Sequence, residues 1–140
     1  MISNILANID NYNSEMSISQ VMRFFERFNM VFTKTMIQNY VRVGVIPTPV
    51  RGRYYVKSHL ILLAMVYELK EIYSLPEIGD FFRIHEADGD ESKLVSLYNE
   101  YFAIYNERYS LAQSDKMLTL MVSSVAMKKN VKNMMDNASL

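Results

Sequence analysis

Apolar residues recur every three or four positions over most of this chain, and the rhythm breaks at a few well-marked places. Ile2, Ile5, Leu6 and Ile9 predict a short amphipathic helix within an N-terminal extension, 1–16, and a polar break follows at 11–14. After Ser17, the residues Ile18, Val21, Met22, Phe25 and Phe28 predict a longer helix. Thr33 is placed to cap the next one, in which Met36, Ile37, Tyr40 and Val41 repeat the spacing and Gly44 supplies a left-handed ending. Ile46-Pro47-Thr48-Pro49 cannot be helix, because each proline removes a donor and biases its predecessor to extended backbone. Two β-prone arms around Arg51-Gly52, the second running Arg53-Tyr54-Tyr55-Val56, predict a small hairpin.

From about Lys57 to Tyr73 the pattern loses its polar face. The run Leu60 to Tyr67 is apolar on nearly every side, as expected for the central helix of a small core. Ser74-Leu75-Pro76-Glu77 starts another, shorter helix with a capping Ser, Pro in the first turn and Glu at the capping-box position. It stops before the turn Ala87-Asp88-Gly89-Asp90, and two longer helices follow at about 91–109 and 112–135. The expected fold is mainly α: a winged helix-turn-helix head over 17–86, with a small two-stranded wing, followed by a helical region over 87–140.

Composition changes this picture in two ways. Half of the 140 residues are apolar, enough to bury a core, and the absence of Cys excludes a disulfide framework and thiolate metal sites. The net charge of zero, taken alone, speaks against a nucleic-acid partner, yet it is a cancellation of blocks. Residues 17–57 carry seven bases against Glu26 alone, whereas residues 74–115 carry nine acids against three bases. A local basic field can attract phosphate whatever the total charge.

The basic block holds the candidate chemistry. Lys34, Thr35, Gln38, Asn39 and Arg42 are the polar positions of the second helix. Gln and Asn can pair bidentately with adenine edges, and Lys, Arg and Thr can meet phosphates or bases. Arg51 and Arg53 at the hairpin tip, with Tyr54 and Lys57 beside them, suit phosphate contact. On a strand, Tyr54 and Tyr55 would point to opposite faces, one into the core. Other chemistry has little support. His59 and His85 are the only histidines and lack Cys partners, so no metal site and no cofactor is expected. The sequence Asp88-Gly89-Asp90 lacks the Gly and Glu that a calcium loop needs at its sixth and twelfth positions. No Gly-rich phosphate loop or catalytic triad is readable, and the chain is not expected to be an enzyme.

Thr33-Lys34-Thr35-Met36-Ile37-Gln38-Asn39-Tyr40-Val41-Arg42-Val43-Gly44-Val45-Ile46-Pro47 resembles the recognition helix and turn of MerR-type transcriptional regulators. Arg53-Tyr54-Tyr55, with Leu60 five residues on, resembles their wing and following helix, and Tyr73-Ser74-Leu75-Pro76-Glu77-Ile78 resembles the next turn. Together these segments cover about residues 17–82. More closely still, they resemble an uncharacterised bacterial family of MerR-like domains. The resemblance implies a dimeric, sequence-specific DNA-binding regulator, with helix 33–44 in the major groove and the wing, about 47–56, on the backbone. The chain departs from the pattern at Thr35 and Gln38, where arginines are common, and at Tyr54, which replaces one of two wing arginines. His59 stands where Asp precedes Leu60, Val56 stands where Ser would cap the helix, and the turn before Thr33 lacks its Gly. Fewer phosphate contacts imply weaker binding that depends less on salt. The alternative is a protein-interaction module that kept the fold and lost DNA reading.

The C-terminal helices offer Tyr98, Tyr101 and Tyr105, then Met117, Met121 and Met127 within a wide apolar stripe. That surface suits a homodimer interface, as the resemblance also implies, or the wall of a small-molecule effector pocket. No stretch of eighteen residues is free of charge, and Met1-Ile2-Ser3-Asn4 lacks a basic secretory start, so the expected location is the cytoplasm.

Overall fold

The computed structural model describes Ile5, Asn8 and residues 15–87, 90–112 and 117–138. The chain forms two compact units, Met1–Leu94 and Val95–Leu140. Among the described residues there are six helices: α1 (Ile18–Glu26), α2 (Lys34–Arg42), α3 (Lys57–Leu69), α4 (Leu75–Ile84), α5 (Glu91–Ala112) and α6 (Met117–Ala138). The short helix expected near Ile2 to Ile9, and Asp88-Gly89 of the expected turn, lie outside the described residues apart from Ile5 and Asn8.

Local chemistry explains where these helices start. Ser17 and Gln20 form a reciprocal capping box at α1, the Ser17 hydroxyl accepting from the Gln20 N–H at 3.3 Å and the Gln20 carbonyl from the Ser17 N–H at 2.8 Å. Ser74 and Glu77 repeat the device at α4, and Thr33 Oγ1 accepts from the Met36 N–H at 3.1 Å to open α2. Gly44 takes φ +82° past the end of α2, as its position predicts. The turn between α1 and α2 has no Gly. Asn29 does that work at φ +59°, and the Met30 N–H closes it onto the Phe25 carbonyl at 3.1 Å.

The core of the first unit is built around α3, whose eight consecutive residues His59–Val66 are all buried. Val21, Phe24 and Phe25 of α1, Ile37 and Tyr40 of α2, and Ile78 and Phe82 of α4 bury their inward faces in the same unit. Aromatic rings tie the core together: Phe25 lies 4.8 Å from Phe32, and Phe32 lies 5.6 Å from Tyr67. The α3 helix stops at Leu69, four residues short of the expected Tyr73, and in the turn that follows the Ile72 and Tyr73 N–H groups both bond to the Leu69 carbonyl.

The expected two-stranded wing is absent. No strand or sheet forms among the described residues, and 50–55 make only two isolated antiparallel bridges, Val50 with Tyr54 and Met16 with Tyr55. The backbone hydrogen bonds give the reason. Val50 and Tyr54 exchange bonds of 2.7 and 3.0 Å, but the groups that would form the next bonded pair, the Thr48 carbonyl and the Val56 N–H, both go to the His59 ring. On the other arm, Tyr55 gives both of its groups to Met16, at 2.8 and 2.9 Å. The molecule is mainly α as expected, with a tight loop in place of the wing.

Candidate nucleic-acid interface

The α2 helix divides cleanly into two sides. At about 100° per residue, Lys34, Gln38, Arg42, Thr35 and Asn39 fall within an arc of about 140°. Lys34, Thr35, Gln38 and Arg42 are exposed and Asn39 is half-buried, while Ile37 and Tyr40 on the opposite side are buried. All five predicted positions of this helix therefore share one outward face. Two of them engage each other, the Arg42 guanidinium donating to the Asn39 side-chain carbonyl.

The helix starts of this region lack negative charge. Neither α1, α2 nor α3 has an acidic residue in its first turn, and α2 and α3 begin with Lys34 and Lys57. A cation at the positive end of a helix dipole is unfavourable by about 0.3–1 kcal/mol. By contrast, α4 and α5 carry Glu77 and Glu91 at that place.

The loop after α2 presents Arg51 and Arg53, both exposed. At its tip Arg51 has φ +54° and Gly52 φ +75°, the mirror-image geometry of tight hairpin turns. Gly52 adopts this without strain, whereas a side chain there costs about 1–2 kcal/mol. The Arg51 guanidinium sits over the Tyr54 ring, 5.1 Å from its centroid, and donates to both carboxylate oxygens of Glu15 at 2.6 and 2.7 Å. Tyr54 is half-buried and Tyr55 is buried, so the two rings divide between surface and core as the alternation implies. Lys57 is half-buried at the start of α3.

His59 is the residue that sequence reasoning undervalues. Its ring is buried, its Nδ1 accepts from the Val56 N–H at 3.0 Å, and its Nε2 lies 3.1 Å from the Thr48 carbonyl. Accepting at Nδ1 requires that Nε2 carry the proton and donate to Thr48. One neutral imidazole thus fastens both ends of the loop 48–56 to the start of α3. Burial lowers its pKa from the ordinary 6.5, against smaller opposing effects of the Thr48 and Pro47 backbone. The available signal is that His59 stands three residues after Val56, the place from which a capping-box side chain reaches back. Glu15 gives no such signal, since its partner Arg51 is 36 residues away.

In the second unit Tyr98 is buried, and Tyr101 and Tyr105 are half-buried, their rings stacked at 6.4 Å. Met117, Met121 and Met127 are exposed. Leu118, Val122 and Val125, which widen the apolar stripe of α6, are exposed as well.

A groove of about 500 Å³ runs beside the end of α2, lined by Val43, Val45, Leu75 and Pro76, with the Asp80–Arg83 ion pair (2.8 Å) among its walls. Among the described residues no His, Asp or Glu cluster could hold a metal ion, and no helix is long and apolar enough to cross a membrane. A family model described as a domain of unknown function, DUF1836, matches residues 6–101. No curated protein and no solved structure matches the chain.

Proposed function

The chain belongs to the DUF1836 family, and we propose that it is a sequence-specific DNA-binding regulator acting as a dimer in the cytoplasm. The observation that carries this reading is the outward face of α2. Five polar side chains, two of them cationic, share one side of a helix whose other side is anchored in the core. Such a helix presents base-reading groups on a rigid support. The acid-free starts of α1, α2 and α3 add to it, because phosphate would relieve the clash of Lys34 and Lys57 with their helix dipoles. Gln38 and Asn39 are the base-reading candidates. Lys34, Thr35, Arg42, Arg51, Arg53 and Lys57 are the phosphate-facing ones, and Tyr54 supports Arg51. The similarity of 33–47 to the MerR-type recognition segment points the same way.

The test is a titration of labelled duplex pools of random sequence at several salt concentrations. Wild-type protein should enrich particular sequences, with log affinity falling linearly against log salt. Lys34→Ala and Arg53→Ala should each flatten that slope by about 0.9, while Gln38→Ala should relax sequence preference and leave the slope unchanged. No binding at low salt would overturn the reading. It would then favour a protein-interaction module, which the internal pairing of Arg42 with Asn39 and of Arg51 with Glu15 would suit.

A further inference from the structure

We infer that Glu15 is an internal competitor for the DNA backbone: its carboxylate occupies in the free protein the Arg51 guanidinium that a phosphate would take. This deepens the DNA-binding reading and rests on it. Arginine is an unexpected residue at position 51. Its backbone has φ +54°, a conformation that costs a non-glycine residue about 1–2 kcal/mol and that Gly or Asn would take more readily. The side chain contributes nothing to the core, being 62% exposed. Its ion pair with Glu15 is exposed too, and pairs of that kind contribute about 0–1 kcal/mol. Stability alone therefore gives little reason for arginine here, and strained backbone held by its surroundings is common where a side chain must be aimed.

What the surroundings do is aim it. The Tyr54 ring lies under the guanidinium at 5.1 Å, and the turn is closed by the Val50–Tyr54 bonds and fastened through His59. Carboxylate and phosphate make the same demand on a guanidinium: a planar donor group facing paired oxygens. Glu15 takes one edge of that group, both of its oxygens accepting from the single nitrogen Nη2 at 2.6 and 2.7 Å. The carboxylate reaches the loop because Met16, its chain neighbour, is bonded to Tyr55 in both directions. A phosphate that takes the Nη2 edge of Arg51 must displace Glu15, and one that approaches the other nitrogens meets the repulsion of the carboxylate, so this contact lowers nonspecific affinity.

The experiment compares wild type with E15Q, R51A and the double variant E15Q/R51A, using the random-sequence duplex pool and fluorescence anisotropy across a salt series. E71Q serves as the control for charge, since Glu71 follows the far end of α3, about 20 Å along that helix from the loop. E15Q should tighten binding about three- to tenfold and steepen the salt slope by about 0.9, one released phosphate contact. E71Q should change neither by that much, and E15Q/R51A should match R51A alone. If E15Q gains no more than E71Q while K34A still weakens binding, the DNA reading stands and the competitor is refuted. A gain that persists in E15Q/R51A refutes the competitor as well. If no protein in the set binds duplex at low salt, the DNA reading falls and this inference falls with it.

Discussion

His59 shows how one side chain can stand in for several missing signals. Val56 has no capping group and the loop before it contains two prolines, yet both the Val56 N–H and the Thr48 carbonyl are satisfied by the two nitrogens of one ring. A hydrophobic replacement such as His59→Leu would leave both groups without that partner, at about 1–3 kcal/mol each where burial excludes water. Acid should do something related. Only the neutral ring accepts from Val56, and burial lowers its pKa in the folded protein, so the unfolded chain takes up the proton first as pH falls below 6.5. The contribution is complete above that pH and is lost as pH falls from there toward the lowered value. Thermal midpoints measured between about pH 7.5 and 5.5 should decline in wild type. They should decline less in His59→Gln, whose amide offers an acceptor and a donor but does not titrate. Parallel curves for the two proteins would deny the ring this role. From sequence the residue reads as a departure from a family pattern; what hides its function is that its second partner lies eleven residues upstream, beyond any helical spacing.

At the scale of elements, the legible parts are helices whose signals are local. The apolar run of α3, the start of α1 after Ser17, the capping box of α4 and the outward positions of α2 depend on neighbours within about four residues, and the structure has them where the spacing puts them. The wing is not legible in this way, because β-propensity around a turn says nothing about where the backbone groups bond. Here the Val56 N–H and the Thr48 carbonyl, which would extend the pairing beyond Val50 and Tyr54, are taken by His59. The Asn29 turn is an intermediate case. A missing Gly counts against a tight turn between α1 and α2, but asparagine enters the left-handed region more easily than other side chains. Asn29→Ala should therefore lower stability by about 1 kcal/mol, and Asn29→Gly should leave it unchanged or raise it slightly. Urea midpoints distinguish these outcomes, and equal losses in both variants would mean that the Asn29 side chain acts through contacts and not through its backbone angle.

For the whole molecule, the separation of charge along the sequence and the bare face of α6 bear on assembly. Seven bases against one acid over 17–57 leave a cationic field in a neutral chain, and a dimer would present two such fields to a two-fold related site. The proposed contact is the patch Leu118, Met121, Val122 and Val125, all at least 55% exposed and on one side of α6. Lys129 and Lys132 continue that same side toward the C-terminus and are exposed. A parallel pair of α6 helices would set each lysine against its own copy, whereas an antiparallel crossing near Val122 separates them and still lets the apolar patch meet itself. Light scattering at micromolar concentration should give about twice 16.4 kDa, and Val122→Glu should restore the single-chain mass. Orientation has its own test, made simple by the absence of native cysteine. Under oxidation Val122→Cys should cross-link to itself across the two-fold axis and Leu118→Cys should not, because antiparallel packing carries the two copies of residue 118 to opposite ends of the contact. Efficient cross-linking at both positions would require a parallel pair, and at neither would place the interface elsewhere.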